Sequence, residues 1–179
     1  MANTAMDWAC PIIRGIPFLV CCYVLFAAWL FKLFPQPRVF FTIAAIGAIT
    51  FLLTDQISGS VIKHIFHRLR PCNNPDIGSR LLIENCGVGY SFVSSHAANS
   101  FGIAMFLVTI ISDRSNFGLI LATWASLVAF SQVYVGVHFP ADVIGGAMVG
   151  VFIGLITGFY GRRFVFPPLP FPMPPPPEL

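Results

Sequence analysis

Long apolar segments constrain the fold of this chain more than any other feature of its sequence. A helix needs roughly 20 mainly apolar residues to cross the hydrocarbon layer of a membrane. Five segments approach that length, at about residues 15–34, 39–53, 95–112, 116–137 and 140–160, and the second continues as a more polar helix past Lys63. Residues 1–14 are too short to cross and are expected to form an interfacial helix. The predicted fold is all-α, a polytopic transmembrane helix bundle of about five helices with a short N-terminal interfacial helix.

Composition excludes the main alternatives to a membrane protein. Only 9% of the residues are charged, whereas soluble domains average about 25%, so the chain cannot cover a water-exposed surface. Hydrophobic residues make up 56% of the chain, which is too many for a disordered one. The net charge of +3, with no basic run beyond Arg162 and Arg163, predicts no nucleic-acid partner.

A polar stretch and a proline-rich tail interrupt this pattern. The predicted transmembrane domain covers residues 1–165, and the tail covers residues 166–179, where repeated prolines remove the amide donors that a helix needs. The polar stretch, residues 68–93, is the predicted active-site loop, because loops of this length in compact chains are usually functional. Cys72 and Cys86 both lie in it, and a disulfide between them would stabilise a lid over the site and fit an oxidising compartment.

Three clusters of polar residues stand out from the apolar background. Their sequences are KHIFHRLRP from Lys63, VSSHA from Val93 and SQVYVGVHFPAD from Ser131. In the first cluster Lys63 and Arg70 are seven residues apart, which on a helix is about 20° around the axis and about 10 Å along it. Two cations on one face at the end of a membrane span predict an anion site.

The second and third clusters each precede a predicted helix. Ser94 is expected to be an N-cap, so that the free amides of the third span also favour an anion. Pro140 suits the first turn of the fifth span, which places His138 just before that helix and Asp142 inside it. The first cluster ends the second span and the second cluster begins the third, so both lie on one side of the membrane. The fourth span returns to that side, where the third cluster follows it. Together they predict a phosphate site with its own acid–base pair.

The residue types also predict a mechanism. A phosphate ester needs its charge neutralised, a nucleophile in line and a proton for the leaving oxygen. His138 is the expected nucleophile, because Asp142 can fix its tautomer through the other ring nitrogen. His96 remains to protonate the leaving group and then to activate the water that releases phosphate. Lys63 and Arg70 would neutralise charge, together with the amides near residues 94 and 95.

These motifs resemble the type 2 phosphatidic acid phosphatase family, which shares its site with vanadium haloperoxidases. The family pattern is Lys, six residues, Arg-Pro; then Pro-Ser-Gly-His; then Ser-Arg, five residues, His, three residues, Asp. The three clusters follow it in order. The resemblance implies an all-helical membrane phosphatase whose site residues are His96, His138 and Asp142 for catalysis and Lys63, Arg70, Ser94, Ser95 and Gln132 for phosphate binding.

Three positions depart from the family pattern. Val93 replaces the usual Pro and Ser95 replaces the Gly, changes that a helix start can absorb. Gln132 replaces the Arg that contacts phosphate; it still donates hydrogen bonds, but it has no charge and cannot make the bidentate fork. A slower enzyme, a differently held phosphate or a substitution introduced to trap substrate would each account for Gln132.

Two further features have alternative interpretations. His64 and His67 have the helical spacing of a metal pair, but no other ligand completes a tetrahedral site, so they are expected to line the headgroup region and the enzyme to need no metal or other cofactor. Asp55 lies about 12 Å before Lys63 along the helix. It is either a functional intramembrane acid or a structural partner for neighbouring helices.

The expected substrate is a lipid phosphate, because a site at headgroup depth reaches a phosphate whose tail stays in the bilayer. The resemblance offers lipid A 1-phosphate and undecaprenyl pyrophosphate first, then phosphatidylglycerol phosphate and phosphatidic acid. A phospholipid-binding or transport protein and a lipid-to-lipid phosphotransferase remain alternatives, and the oligomeric state is open. Five Lys or Arg residues at the opposite face, against three at the site face apart from Lys63 and Arg70, favour a bacterial inner-membrane protein whose site faces the periplasm.

Overall fold

The computed structural model of the chain describes residues 4–76, 86, 89–111 and 115–167, and the regular elements in these ranges are all helical. The α-helices are α1 (Thr4–Ile13), α2 (Ile16–Leu33), α3 (Pro37–Gln56), α4 (Lys63–Phe66), α5 (Ser95–Ile111), α6 (Ser115–Tyr134) and α7 (Pro140–Val165). A π-helical segment, Ile57–Ile62, joins α3 to α4, and a 3₁₀ turn covers Pro71–Asn73. The predicted all-α class is confirmed, whereas the predicted tail, almost all of residues 166–179, lies outside the described ranges.

Four described segments are long and apolar enough to cross a membrane. They are Ile16–Leu33, Pro37–Asn73, Phe117–Tyr134 and Pro140–Val165. The fifth apolar helix, α5, has 17 residues and is about 25 Å long, at the lower limit for a membrane span. The predicted bundle of about five helices is therefore confirmed.

The end of α7 differs from its predicted position at Tyr160, because the helix continues to Val165. The two arginines, Arg162 and Arg163, belong to the last turn of the helix and make contacts there. Arg162 Nη1 donates to the carbonyl of Thr109 at 3.4 Å, and the Arg163 guanidinium lies 4.6 Å from the centre of the Phe159 ring. Cations near the C-terminal end of a helix also interact favourably with its dipole, so the two charges extend the helix rather than ending it.

The closest helix pair is α5 with α7. Glycines recur every fourth residue along the face of α7 that meets α5, namely Gly146, Gly150, Gly154 and Gly158. A methyl group at Gly150 would overlap the carbonyl of Ala98, and one at Gly158 would lie 2.6 Å from Cβ of Thr109. Small residues let backbones approach closely, which is how helices gain packing energy in lipid, where hydrophobic association is absent. This contact aligns the N-terminal ends of α5 and α7.

The N-terminal helix α1 lies at the same end of the bundle and packs against α6. The Tyr134 hydroxyl donates to Asp7 Oδ1 at 2.8 Å, and Cys10 is buried at the contact. Trp8 and Ile12, by contrast, are largely exposed. Helix α1 thus has one face that packs on the bundle and one apolar face that is exposed. This agrees with the predicted interfacial helix.

Replacing Gly150 with Ala tests the close packing of α5 on α7. The added methyl group meets backbone atoms that cannot move aside, so we expect a loss of about 1–3 kcal/mol in the free energy of unfolding. Thermal unfolding of the purified protein in detergent should show a lower midpoint. Gly118→Ala is the matched control, because a methyl group there makes only an ordinary 3.7 Å contact with Val108. Equal midpoints for both variants would contradict the packing described here.

Candidate active site

The three polar clusters meet at one end of the bundle. The first lies where the long helix that begins as α3 ends, the second precedes α5, and the third joins α6 to α7. Two backbone hydrogen bonds connect them: Ser94 N–H donates to the Asp142 carbonyl at 2.9 Å, and the N–H of Cys72, directly after the first cluster, donates to the Gly136 carbonyl at 3.1 Å. The expectation that all three clusters share one side is therefore confirmed.

The helix α5 begins where the sequence predicts. Ser94 is buried, and its hydroxyl oxygen accepts the backbone N–H of Ala97 at 3.5 Å, which is the N-cap arrangement. Amides in the first turn, including those of Ser95 and His96, have no acceptor within the helix. They lie at the site end of the bundle, where their partial positive charge favours a bound anion.

The backbone of Gln132 shapes the loop that holds His138. The N–H groups of Val137 and His138 both donate to the Gln132 carbonyl at 3.2 Å. Gly136 has φ of 80°, a left-handed conformation that glycine adopts without a steric penalty. Pro140 then begins α7, so His138 lies two residues ahead of the helix, with only 4% of its surface exposed.

Asp142 is completely buried, and its carboxylate accepts three hydrogen bonds. Arg68 Nη1 donates to Oδ1 at 2.8 Å, while the Ser91 hydroxyl, at 2.5 Å, and the Phe139 N–H, at 2.8 Å, donate to Oδ2. The Arg68 guanidinium also lies 4.1 Å from the centre of the Phe139 ring. A buried carboxylate is tolerated only when it is paired and hydrogen-bonded, and these donors satisfy both conditions.

The His138 ring lies beside this carboxylate without a direct hydrogen bond to it. His138 Nδ1 is 3.8 Å from Asp142 Oδ2, beyond hydrogen-bonding distance, whereas Ser91 Oγ is 3.4 Å from the same nitrogen. The direct hydrogen bond predicted between His138 and Asp142 is therefore replaced by a contact through Ser91. Asp142 Oδ2 already accepts from the Ser91 hydroxyl and the Phe139 N–H. Because the Ser91 hydroxyl donates its proton to Asp142 Oδ2, its oxygen can accept from His138, and this assigns the ring proton to Nδ1 and a lone pair to Nε2.

Burial sets the charge of His138. It lowers the pKa of the imidazole below its ordinary value, and this effect exceeds the opposing influence of Asp142. The ring is therefore neutral at pH 7, which is the form that a nucleophile or a base requires.

The predicted helical relation between Lys63 and Arg70 is wrong. His67 has φ of 46° and ends α4 in the left-handed region, so Arg70 lies beyond the helix and not on the face of Lys63. The two cations are nevertheless close enough for their charges to interact. Arg70 Nη1 donates to the carbonyl of Cys86 at 2.6 Å, so the loop itself holds this side chain in place.

His96 and Gln132 complete the set of residues expected from the sequence. His96, in the first turn of α5, lies within electrostatic range of His138 and Lys63. Gln132 is 1% exposed, and its Nε2 has no hydrogen-bond partner among the residues that the structure describes. A buried amide with an unused donor costs free energy unless something else accepts from it, such as a ligand oxygen.

Sequence reasoning missed Arg68 and Ser91. Arg68 was visible in the first cluster, but nothing local marked it as the partner of a carboxylate 74 residues away. Ser91 precedes the second cluster by only a few residues, yet its role depends on the fold that brings it to Asp142. No short-range pattern indicates either contact.

The structure shows the contacts of the histidine pair, His64 and His67, and of the intramembrane acid Asp55. His64 and His67 lie edge-on to the Tyr90 ring, with ring centres 6.2 and 4.5 Å away. Asn99 Nδ2 donates to Asp55 Oδ1 at 3.1 Å, which connects α3 to α5. The latter contact favours the structural interpretation of Asp55.

The structure contains the disulfide that the sequence predicts between Cys72 and Cys86, with Cα atoms 5.7 Å apart. It lies between two contacts of the site. The Cys72 amide is bonded to the loop before His138, and the Cys86 carbonyl accepts from Arg70. The bond therefore ties the polar loop to two site elements at once.

Alkylation of the unreduced protein tests this disulfide. Cys10, Cys21 and Cys22 are free, so we expect mass spectrometry of the denatured protein to show three alkyl groups before reduction and five after it. Because the chain has five cysteines, each count is unambiguous. Five groups before reduction would contradict the disulfide.

Several curated proteins are similar to this chain over part of its length. Lipid A 4'-phosphatase of Bacteroides thetaiotaomicron is 36% identical over 120 residues, which is 65% of this chain and 52% of that protein. Undecaprenyl-diphosphatase of Sulfolobus acidocaldarius is 36% identical over 102 residues, 56% of this chain and 47% of that protein. The chain thus spans about half the length of these curated relatives.

A solved structure and a family model complete the comparison. The crystal structure of LpxE from Aquifex aeolicus matches with a TM-score of 0.61 and 26% identity, over 87% of each chain. The family model of the PAP2 superfamily matches residues 44–163, which include the three polar clusters. The resemblance seen in the motifs is confirmed, and the chain belongs to the PAP2 superfamily.

Proposed function

We propose that this protein is an integral-membrane lipid phosphatase that acts without a metal ion, through a phosphohistidine intermediate on His138. The observation that most strongly supports this is the buried neutral ring of His138, with Nδ1 facing Ser91 and Asp142 and Nε2 left to react. Lys63 and Arg70 supply positive charge at the same end of the bundle.

The proposed reaction has two steps. His138 Nε2 attacks phosphorus, an N–P bond forms, and the P–O bond to the lipid breaks while His96 gives its proton to the leaving oxygen. Water then attacks phosphohistidine and loses its proton to His96, which releases inorganic phosphate and restores His138. The positive charge that forms on the ring in the first step is stabilised by Asp142 through Ser91.

A cavity beside the site supports a lipid as the carrier of the phosphate. It has a volume of about 850 Å³ and is bounded by α2, α3 and α5. The polar residues in its wall are Tyr23, Asp55, Ser95, His96, Asn99 and Ser100, and the other lining residues are apolar. Its lining on α2 runs from Ile16 to Leu30, about 21 Å along the helix, which suits a hydrocarbon chain.

The favoured substrates are lipid A phosphate and undecaprenyl pyrophosphate. Motif resemblance suggested the 1-phosphate of lipid A, whereas the relative from Bacteroides thetaiotaomicron is a lipid A 4'-phosphatase, so both positions belong in the test. We place the site at the outer face of a bacterial inner membrane. The Cys72–Cys86 disulfide, which needs an oxidising compartment, supports that orientation.

Phosphate release by the purified protein in detergent with EDTA tests the proposal. Lipid A phosphorylated at either position, undecaprenyl pyrophosphate, phosphatidylglycerol phosphate and phosphatidic acid should be compared. We expect release in EDTA and a fall of about 10³-fold or more in kcat for His138→Ala, because the nucleophile is lost. His64→Ala is the matched control, since His64 is an exposed histidine at the same end of the bundle.

Five outcomes would change the conclusion. Full activity in His138→Ala, or loss of activity in EDTA, would exclude the proposed mechanism. Activity that appears only after Gln132→Arg would identify this chain as a disabled form. No release by any of these proteins would favour a binding or transport protein, and phosphate transfer to an added lipid alcohol would favour a phosphotransferase.

Replacing Ser91 with Ala tests the link between His138 and Asp142. Loss of the bridging hydroxyl frees the ring to reorient, so we expect kcat to fall about 10- to 100-fold with little change in KM. Ser131→Ala is the matched control, because Ser131 is equally buried and its hydroxyl donates only to the carbonyl of Val128 in its own helix. Unchanged kcat in Ser91→Ala would mean that Asp142 acts on His138 without Ser91.

A further inference from the structure

The wall of the cavity changes from polar to apolar with distance from the site. Helix α5 begins at the site, and its lining residues in chain order are Ser95, His96, Asn99, Ser100, Ile103, Phe106 and Leu107. Helix α3 runs towards the site, and its lining residues are apolar from Phe40 to Leu52 and end with Asp55. The polar groups of both helices therefore lie at the end of the cavity nearest the site.

Asp55 is held in this polar end by two linked hydrogen bonds. The Thr54 hydroxyl donates to Asn99 Oδ1 at 2.7 Å, and Asn99 Nδ2 donates to Asp55 Oδ1 at 3.1 Å. Because the oxygen of the Asn99 amide is occupied by Thr54, its N–H group is the part that meets Asp55. Thr54 and Asn99 are buried, whereas Asp55 is only half-buried and lines the cavity.

The Asp55 carboxylate can accept more hydrogen bonds than it receives. An ionised carboxylate offers about four lone-pair positions, and in the described part of the chain its hydrogen-bond donor is Asn99. Lys63 is near enough for the two charges to interact, but the ion pairs within 4.0 Å among the described residues do not include Asp55. An acid inside a membrane span is costly unless a partner satisfies it.

The depth of this carboxylate fits a particular part of a lipid phosphate. Asn99 follows His96 by three residues, which is about 4.5 Å along the axis of α5. With the phosphate at His96 and the hydrocarbon chain in the apolar end of the cavity, the groups joined to the phosphate pass Asn99 and Asp55. At that depth the carboxylate meets whatever polar groups connect the phosphate to the chains.

We propose that Asp55, positioned by Asn99, is a substrate-binding residue that accepts a hydrogen bond from a hydroxyl or amide N–H group close to the phosphate. The enzyme then prefers lipid phosphates that carry such a donor over those with only ester groups or hydrocarbon there. A lipid without the donor removes water from the carboxylate and offers nothing in return. This inference rests on the proposed function, because it assigns Asp55 to the lipid that is hydrolysed.

The test compares kcat/KM for two lipid phosphates that each have two hydrocarbon chains. Ceramide 1-phosphate carries an amide N–H and a hydroxyl near the phosphate, whereas phosphatidic acid has ester groups there and no donor. We expect the parent to prefer ceramide 1-phosphate by about 10-fold or more, as for a hydrogen bond to a charged group. The ratio does not depend on the fraction of folded enzyme, so a purely structural role of Asp55 would leave it unchanged.

Two variants of Asp55 and one control assign the preference. Asp55→Leu should abolish it, and the nearly isosteric Asp55→Asn should reduce it, because an amide oxygen is a weaker acceptor than a carboxylate. Thr157→Val is the matched control. It removes the 2.8 Å hydrogen bond between Thr50 and Thr157, which connects α3 to α7, and neither threonine belongs to the lining of the cavity. Its ratio should equal that of the parent.

A binding measurement separates this inference from the proposed function. In detergent, ceramide 1-phosphate should raise the thermal unfolding midpoint of the parent and of Thr157→Val more than phosphatidic acid does. The difference should be smaller in Asp55→Asn and absent in Asp55→Leu. If this pattern appears without phosphate release, Asp55 binds the lipid and only the proposed catalysis fails.

Other results would overturn the role of Asp55. One is equal kcat/KM for the two lipids in the parent, and another is the parental ratio in both Asp55 variants. Loss of the preference in Thr157→Val as well would assign it to helix packing and not to Asp55. If no lipid is hydrolysed, equal midpoint shifts with the two lipids in the parent would reject the inference.

Discussion

The buried carboxylate of Asp142 is the interaction on which the arrangement of the site depends. A charge with no access to water must be paired, and the partners of Asp142 come from separate parts of the chain. Arg68 belongs to the end of the second span, Ser91 to the approach to α5, and Phe139 to the loop before α7. The Asp142 carbonyl also accepts from Ser94. Satisfying one buried acid thus brings all three motifs together.

The contact between α5 and α7 makes that convergence possible. Glycines on α7 let the two backbones approach until side chains no longer separate them, and Gly146 meets the carbonyl of Ser94 directly. In lipid, where apolar surface gains little from leaving the solvent, such close approach is a main source of helix association. The packing that stabilises the bundle therefore also aligns the N-cap of α5 with the first turn of α7.

The distribution of charge and apolar surface then suggests how the proposed phosphatase would hold its substrate. Lys63 and Arg70 lie at the end of the bundle where α5 and α7 begin, and a mainly apolar cavity extends from Ser95 and His96 along α2 and α3. An amphiphile with a phosphate head and a hydrocarbon chain complements both regions. The neutral state of His138, a consequence of its burial, suits an enzyme that uses a histidine nucleophile at ordinary pH.

The amino-acid sequence by itself determined the class of the fold, the approximate helix boundaries, the N-cap at Ser94 and the three motifs that meet at one face. These properties depend on local patterns: apolar length, capping residues, and motif order along the chain. The tertiary structure alone decided how His138 is held, because Ser91 and Arg68 reach Asp142 only through long-range folding. It also decided that Arg70 lies beyond the helix of Lys63, which ends at His67. Contacts between residues far apart in sequence leave no periodic signal, so only the folded chain determines them.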